Sequence, residues 1–156
     1  MTVYRELIER IASDHGLDPN LVESIVIAES NGFTDAFRYE PEFYTRYLKH
    51  VPEWKDWNPR RISSSYGLMQ VMYPTAKQYG FGDVPELLFI PDVGLKFGCL
   101  HLVRTLKQCA GNVREALAAY NGGYGNRHGD RPQKYAVRVL KLYASVQLAH
   151  RVEGIA

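Results

Sequence analysis

Apolar positions along this chain recur mostly with the period of a helix. Tyr4, Leu7, Ile8 and Ile11 lie at helical spacing, which predicts an amphipathic helix over 2–15, stopped by Gly16. Asp18-Pro19 pairs an N-cap with a proline suited to the first helical position, so a second helix is expected over 19–30, ended by Asn31-Gly32. Ser63, Ser64 and Ser65 offer caps for a short helix holding Gly67–Met72. Pro74 opens another, ended by Gly80 or Gly82, and Pro85 opens a short turn. Pro91 starts a long helix to residue 109, with Val93, Phe97, Leu100, Leu102, Val103 and Leu106 as core candidates. Asn112 caps a helix to 121, residues 122–131 form a glycine-rich loop, and Pro132 begins a last helix to 149. No period-two alternation, internal repeat or low-complexity tract appears, so the expected class is all-α.

Residues 33–61 break the pattern. They hold Phe33, Phe37, Tyr39, Phe43, Tyr44, Tyr47, Trp54 and Trp57 among Pro41, Pro52 and Pro59, and read as an aromatic-rich insertion with a short helix near 41–49. The length of 156 residues suits one domain over 1–156 with a real core, and 46% apolar with 23% charged residues is ordinary for a globular protein. A net charge of +2 is too weak to argue for nucleic acid. No stretch reaches the roughly 18 apolar residues of a membrane span, so no stable membrane insertion is expected. The N-terminus carries Glu6 and Glu9 and no apolar run, so it does not read as a signal peptide, and the initial Met favours synthesis in the cytoplasm. Cys99 and Cys109 fall about 15 Å apart on one helix, too far for a disulfide. The five histidines show no metal-ligand spacing, and neither metal nor cofactor is expected.

The second helix poses the chemical question. Leu21, Val22, Ile25 and Val26 form its apolar stripe, and Glu29 lies on that stripe, four residues after Ile25 and three after Val26. Glu23 sits off it and reads as solvated. A carboxyl on a core-facing stripe loses hydration, which raises its pKa and suits it to act as a general acid. A glutamate that snorkels off the helix end would satisfy the same spacing.

Three segments sharpen the choice: Glu29-Ser30-Asn31-Gly32; Ser64-Ser65-Tyr66-Gly67-Leu68-Met69-Gln70, followed by Pro74-Thr75-Ala76; and Ala119-Tyr120-Asn121-Gly122-Gly123. In this order they resemble the soluble-type lytic transglycosylases, glycoside hydrolase family 23 of the lysozyme-like superfamily, over residues 15–145. The resemblance implies a lysozyme-like helical fold and a peptidoglycan-cleaving enzyme that acts on the β-1,4 bond between N-acetylmuramic acid and N-acetylglucosamine. Glu29 matches the single catalytic acid and base. Tyr120 matches a tyrosine whose hydroxyl approaches that carboxyl. Ser30, Met69, Gln70, Asn121 and Tyr135 match positions beside or along the saccharide cleft. Which of Ser63, Ser64 and Ser65 stands for the cleft serine is open, and Ser65 is carried forward. The mechanism implied needs no second carboxylate, because the sugar's 2-acetamido group assists and a 1,6-anhydromuramic end forms. Partners implied are peptidoglycan glycan strands, with the chain a monomer and, lacking a leader, a phage or prophage lysis or virion-borne enzyme.

The match departs from the family at the long interval between Glu29 and Gly67 and at Ile90-Pro91-Asp92-Val93-Gly94, which reads as structural. The insertion holds further carboxylates, and Glu40 is the one placed to activate water, which would make the enzyme an inverting muramidase. Pairing with Arg38 or Arg46 is the plainer reading of Glu40. Tyr39, Tyr44 and Trp57 would suit sugar stacking or a satellite core equally. Met69 also suits a core, and Asn121-Gly122 a helix cap. A glycan-binding module without catalysis is the rival from another class.

Overall fold

The computed structural model describes residues 2–154. The domain expected over 1–156 is therefore followed through that range, and the initial Met lies outside the described residues.

Helix α1 (Arg5–Asp14) presents Ile8, Ile11 and Ala12 to the interior. Helix α2 (Pro19–Ser30) starts where Asp18 accepts from the Asn20 amide, and it stops at Asn31 in the left-handed conformation. The insertion then runs through strand β1 (Phe37–Tyr39), the short turn α3 (Pro41–Phe43), a π-helical turn at Tyr44–Leu48, a 3₁₀ turn at Pro52–Trp54 and the short helix α4 (Pro59–Ile62). Strands β2 (Ser64–Tyr66) and β3 (Val71–Met72) follow, then α5 (Tyr73–Gln78) and a 3₁₀ segment at Pro85–Phe89. Helices α6 (Pro91–Gln108), α7 (Val113–Gly122) and α8 (Asp130–Glu153) complete the fold. Helix α7 packs between α6 and α8, and α2 lies between α1 and α8. Ile8, Val22, Ile25, Leu68, Leu95, Leu102, Leu117 and Val139 belong to one buried core, each residue of this size contributing about 1.5–3 kcal/mol by leaving water. Among the described residues, no helix is long and apolar enough to cross a membrane.

The expected helix over Gly67–Met72 is instead a hairpin. Strand β2 pairs antiparallel with β1 (Phe37 with Tyr66, Tyr39 with Ser64) and with β3 (Ser65 with Met72). Gly67 and Gln70 both take positive φ, 69° and 49°, which no helix accommodates. At Gly67 a side chain would also meet the Leu88 carbonyl oxygen at 2.5 Å, so only glycine fits this crossing. The three strands are two or three residues long, too short to print a period-two pattern on the sequence, and the fold remains predominantly helical.

Glu23 is the second correction. It is fully buried rather than solvated. Arg5 Nη1 donates to it at 2.8 Å, the Thr2 amide at 2.7 Å, and His150 Nε2 lies 2.9 Å away. Helix α1 brings the Arg5 cation and the end of α8 brings the His150 ring over it. Burial pushes the carboxyl up, but the hydrogen bonds from His150, Thr2 and Arg5 outweigh that and hold it below its ordinary value.

Glu23→Ala leaves Arg5 and His150 without their anion and is expected to cost on the order of 3 kcal/mol at neutral pH. Since folding lowers the Glu23 pKa, its contribution is present above the ordinary 4.5 and is lost as pH falls through the folded value. Urea unfolding at several pH values should show the gap between wild type and variant narrowing in acid.

Candidate active site

Three separate backbone segments meet where α2 ends. Ser30 Oγ donates to the Leu68 carbonyl at 2.8 Å and lies 3.0 Å from the Val26 carbonyl. Tyr120, in α7, donates its hydroxyl to the Met69 carbonyl at 2.8 Å. Gln70 Nε2 donates to the carbonyls of Ala36 and Gly67 at 2.9 and 3.0 Å. The β2–β3 turn is thereby bound to α2 and α7 by side-chain bonds to its own carbonyls, and to the lead-in to β1 by the Gln70 side chain donating to the Ala36 carbonyl.

Beside this knot opens a cleft of about 630 Å³, within the range of ligand-binding cavities. Glu29, Ser65, Gln70, Tyr120 and Asn121 line it, joined from the insertion by Arg38, Glu40, Phe43, Arg46 and Tyr47. Glu29 sits in the last turn of α2, neither fully exposed nor sealed off. Burial of its carboxyl pushes the pKa above the ordinary carboxylate value, and Tyr135 together with the positive fields of Arg38, Arg138 and Arg131 only partly offsets this. Arg138 also donates to the Ala28 carbonyl, placing a cation on the C-terminal end of α2.

Two tyrosine hydroxyls lie in the field of Glu29: that of Tyr120, as expected, and that of Tyr135. Tyr120 is committed to Met69, while the buried Tyr135 hydroxyl faces Glu29 outside ordinary hydrogen-bond geometry and has no other partner. Burial, then the neighbouring Glu29, drive the Tyr135 pKa well above its usual value, so it keeps its proton. Asn121 Oδ1 is buried and unpartnered at the cleft wall.

Two expected contacts are withdrawn from the cleft. Met69 is fully buried, and its side chain packs so closely on Gly98 that a Cβ there would fall 2.7 Å from the Met69 Cβ; a sugar cannot reach it. Ser30 is buried and spends its hydroxyl on the backbone. Of the three serines, Ser63 and Ser64 are tied to the carbonyls of Glu40 and Arg60, and Ser65 is the one that lines the cleft. Glu40 reaches the cleft because its backbone continues the β1–β2 ladder, its amide donating to the Ser63 carbonyl at 2.8 Å. Its carboxylate accepts from Arg38 Nε at 2.6 Å.

The aromatics differ from those expected. Tyr39 lies under Arg60, and Trp57 packs on Trp54 and Tyr73; neither they nor Tyr44 line the cleft. Phe43 and Tyr47 do. His101, set aside among structural histidines, also lines the cleft: its Nδ1 lies 2.9 Å from the Tyr79 hydroxyl and its ring stacks 4.7 Å from that of Tyr120. Burial lowers its pKa to about 4, so it is a neutral part of the wall. Among the described residues no group of three or more His, Cys, Asp or Glu is arranged to hold a metal ion.

Because folding raises the Glu29 pKa, the folded state binds the proton more tightly than the unfolded chain, and stability falls as pH rises from the ordinary 4.5 through the folded value. Glu29→Gln removes that charge. The variant should unfold at a higher temperature than wild type at neutral pH, with the difference vanishing below about pH 4 in calorimetric scans.

The sequence matches the transglycosylase SLT domain family over residues 6–139. A transglycosylase of Enterobacteria phage PRD1 is 29% identical over 139 residues, 87% of this chain and 41% of the phage protein. The fold superposes on an inactive mutant of lytic transglycosylase Slt from Pseudomonas aeruginosa with a TM-score of 0.73 at 22% identity, covering 96% of this chain and 24% of that one. It superposes on the 70 kDa soluble lytic transglycosylase of Escherichia coli with a TM-score of 0.72 at 19% identity, covering 94% of this chain and 24% of that one. This chain therefore spans less than half the length of each of these relatives. With the family match extending from α1 into α8, across every segment that builds the cleft, the chain belongs to the transglycosylase SLT domain family.

Proposed function

We propose that the protein is a peptidoglycan lytic transglycosylase that cleaves the β-1,4 bond between N-acetylmuramic acid and N-acetylglucosamine, with Glu29 as acid and then base. The observation that carries this reading is a carboxyl made harder to ionise by burial, at the wall of an open cleft. Glu29 gives its proton to the glycosidic oxygen, and the C1–O bond breaks as the N-acetylglucosamine side leaves as an alcohol. The 2-acetamido oxygen of the muramic residue closes on C1. The Glu29 carboxylate then takes the C6 hydroxyl proton, and O6 displaces the acetamido oxygen. The product carries a 1,6-anhydro ring, and no water is consumed.

The other cleft residues fit this sequence. Tyr135 keeps its proton and can donate to Glu29 once the carboxylate forms. Asn121 lines the cleft and supplies polar wall near the position of the N-acetyl group. Tyr120 acts through the Met69 carbonyl, holding the turn that carries Gln70. Ser65 and Gln70 supply polar wall. We assign the chain as one catalytic domain working as a monomer on glycan strands, in a phage or prophage lysis or virion-borne setting, which the phage relative supports.

One observation favours a second reading: Glu40 lines the same cleft. A hydrolytic muramidase needs its second carboxylate roughly 6.5–9.5 Å from the acid and free to activate water. The Arg38 bond to Glu40 argues against that freedom.

Mass spectrometry of digested sacculi separates the readings. Anhydromuramic ends, each one water lighter than a reducing end, are expected from wild type and from Glu40→Gln. Glu29→Gln should fold and lose activity by about 10³-fold or more, within the range for a missing general acid. Reducing ends alone, with activity abolished in Glu40→Gln, would establish the hydrolase. Tight glycan binding with no cleavage by wild type would establish the non-catalytic module.

A further inference from the structure

The cleft does not end at the insertion. Phe43 and Tyr47 line it on one side and, on the other, line a second groove of about 600 Å³. Their rings pack 4.9 Å apart at 51°, so they form one ridge between the two hollows. Tyr47 is 55% exposed and Val51, within the second groove, 37% exposed, which leaves apolar surface on the outside of the molecule. Leu48, Trp54 and Pro74 add apolar lining, and the polar part of the groove is Gln78 with Lys77 and Glu53, which pair at 3.4 Å.

This mixture suits a saccharide. A pyranose has apolar C–H faces that stack on aromatic rings, and hydroxyl edges that need polar partners at the rim. We infer that the second groove binds further sugars of the same glycan strand, beyond the Phe43–Tyr47 ridge, so that the protein selects for long strands. The inference rests on the lytic transglycosylase reading and extends it. Continuity carries it: an occupant of the cleft that follows its wall over the ridge enters the second groove directly. One wall comes from the aromatic insertion, the segment in which the sequence departs from the family pattern, and the other from α5 through Pro74, Lys77 and Gln78.

The test uses a length series of uncapped, stem-free N-acetylglucosamine–N-acetylmuramic acid oligomers and two groove variants remote from Glu29, Val51→Asp and Gln78→Ala. Circular dichroism checks that each variant folds. Wild type should cleave the longest oligomers with higher kcat/KM than the shortest substrate. Each variant should lose about tenfold, through KM, on the long oligomers only, equivalent to roughly 1.4 kcal/mol of subsite binding. A wild-type rate independent of length, or losses in the folded variants that are equal or absent across the series, overturns the inference while leaving the cleavage reading intact; a groove for a second copy of the chain or for a protein partner gives this result. Absence of any cleavage of the series and of sacculi by wild type overturns the cleavage reading itself, and the inference with it.

Discussion

The carbonyls of one four-residue turn, Gly67–Gln70, fix the geometry of the cleft. Gly67, Leu68 and Met69 are buried, Gln70 opens onto the cleft, and buried carbonyls need donors. Ser30 and Tyr120 supply two of them, from the end of α2 and the last turns of α7. Those elements also carry the residues with chemistry, Glu29 next to Ser30 and Asn121 next to Tyr120. Satisfying the turn therefore sets the Glu29 carboxyl and the Asn121 amide at fixed positions around one opening.

The Glu29 carboxyl stands between opposing fields. Loss of hydration favours its neutral form, while Tyr135 and three arginines favour the charged one, and burial prevails. The proposed acid-then-base cycle uses both forms, and the groups that favour the anion stand around the same carboxyl. Glu23, six residues earlier on the same helix, shows the contrary outcome: it too is buried, yet hydrogen bonds from His150, the Thr2 amide and Arg5 hold its pKa below the ordinary value. Position on a helix did not decide between these fates; the partners brought by other elements did.

That contrast explains how far the sequence could be read. Helix starts marked by Asp18-Pro19, Pro91 and Asn112 were legible because capping is local; the local spacing of Glu29 from Ile25 and Val26 put it on the apolar stripe, and only the order of the motifs suggested a role for it. Glu23 was misread because Arg5 lies 18 residues away and His150 lies 127 away. The strands were too short to show a period. Motif order named the residues around the cleft but could not say which way each points: Met69 turns into the core, Ser30 into the backbone, and Tyr120 spends its hydroxyl on the Met69 carbonyl while Tyr135 joins it beside Glu29. In the insertion, aromatic density was evident, yet only the tertiary fold separates Phe43 and Tyr47 at the cleft from Trp57 in the packing beneath.

The central claim is that folding raises the pKa of one carboxyl. Carbon-13 NMR of the Glu29 side-chain carboxyl, followed through a pH titration of the wild-type protein, reads it directly. The account predicts a midpoint above the ordinary glutamate value of 4.5 and a further upward move in Arg131→Gln, which removes a positive field. A Glu29 midpoint at or below 4.5 would contradict it.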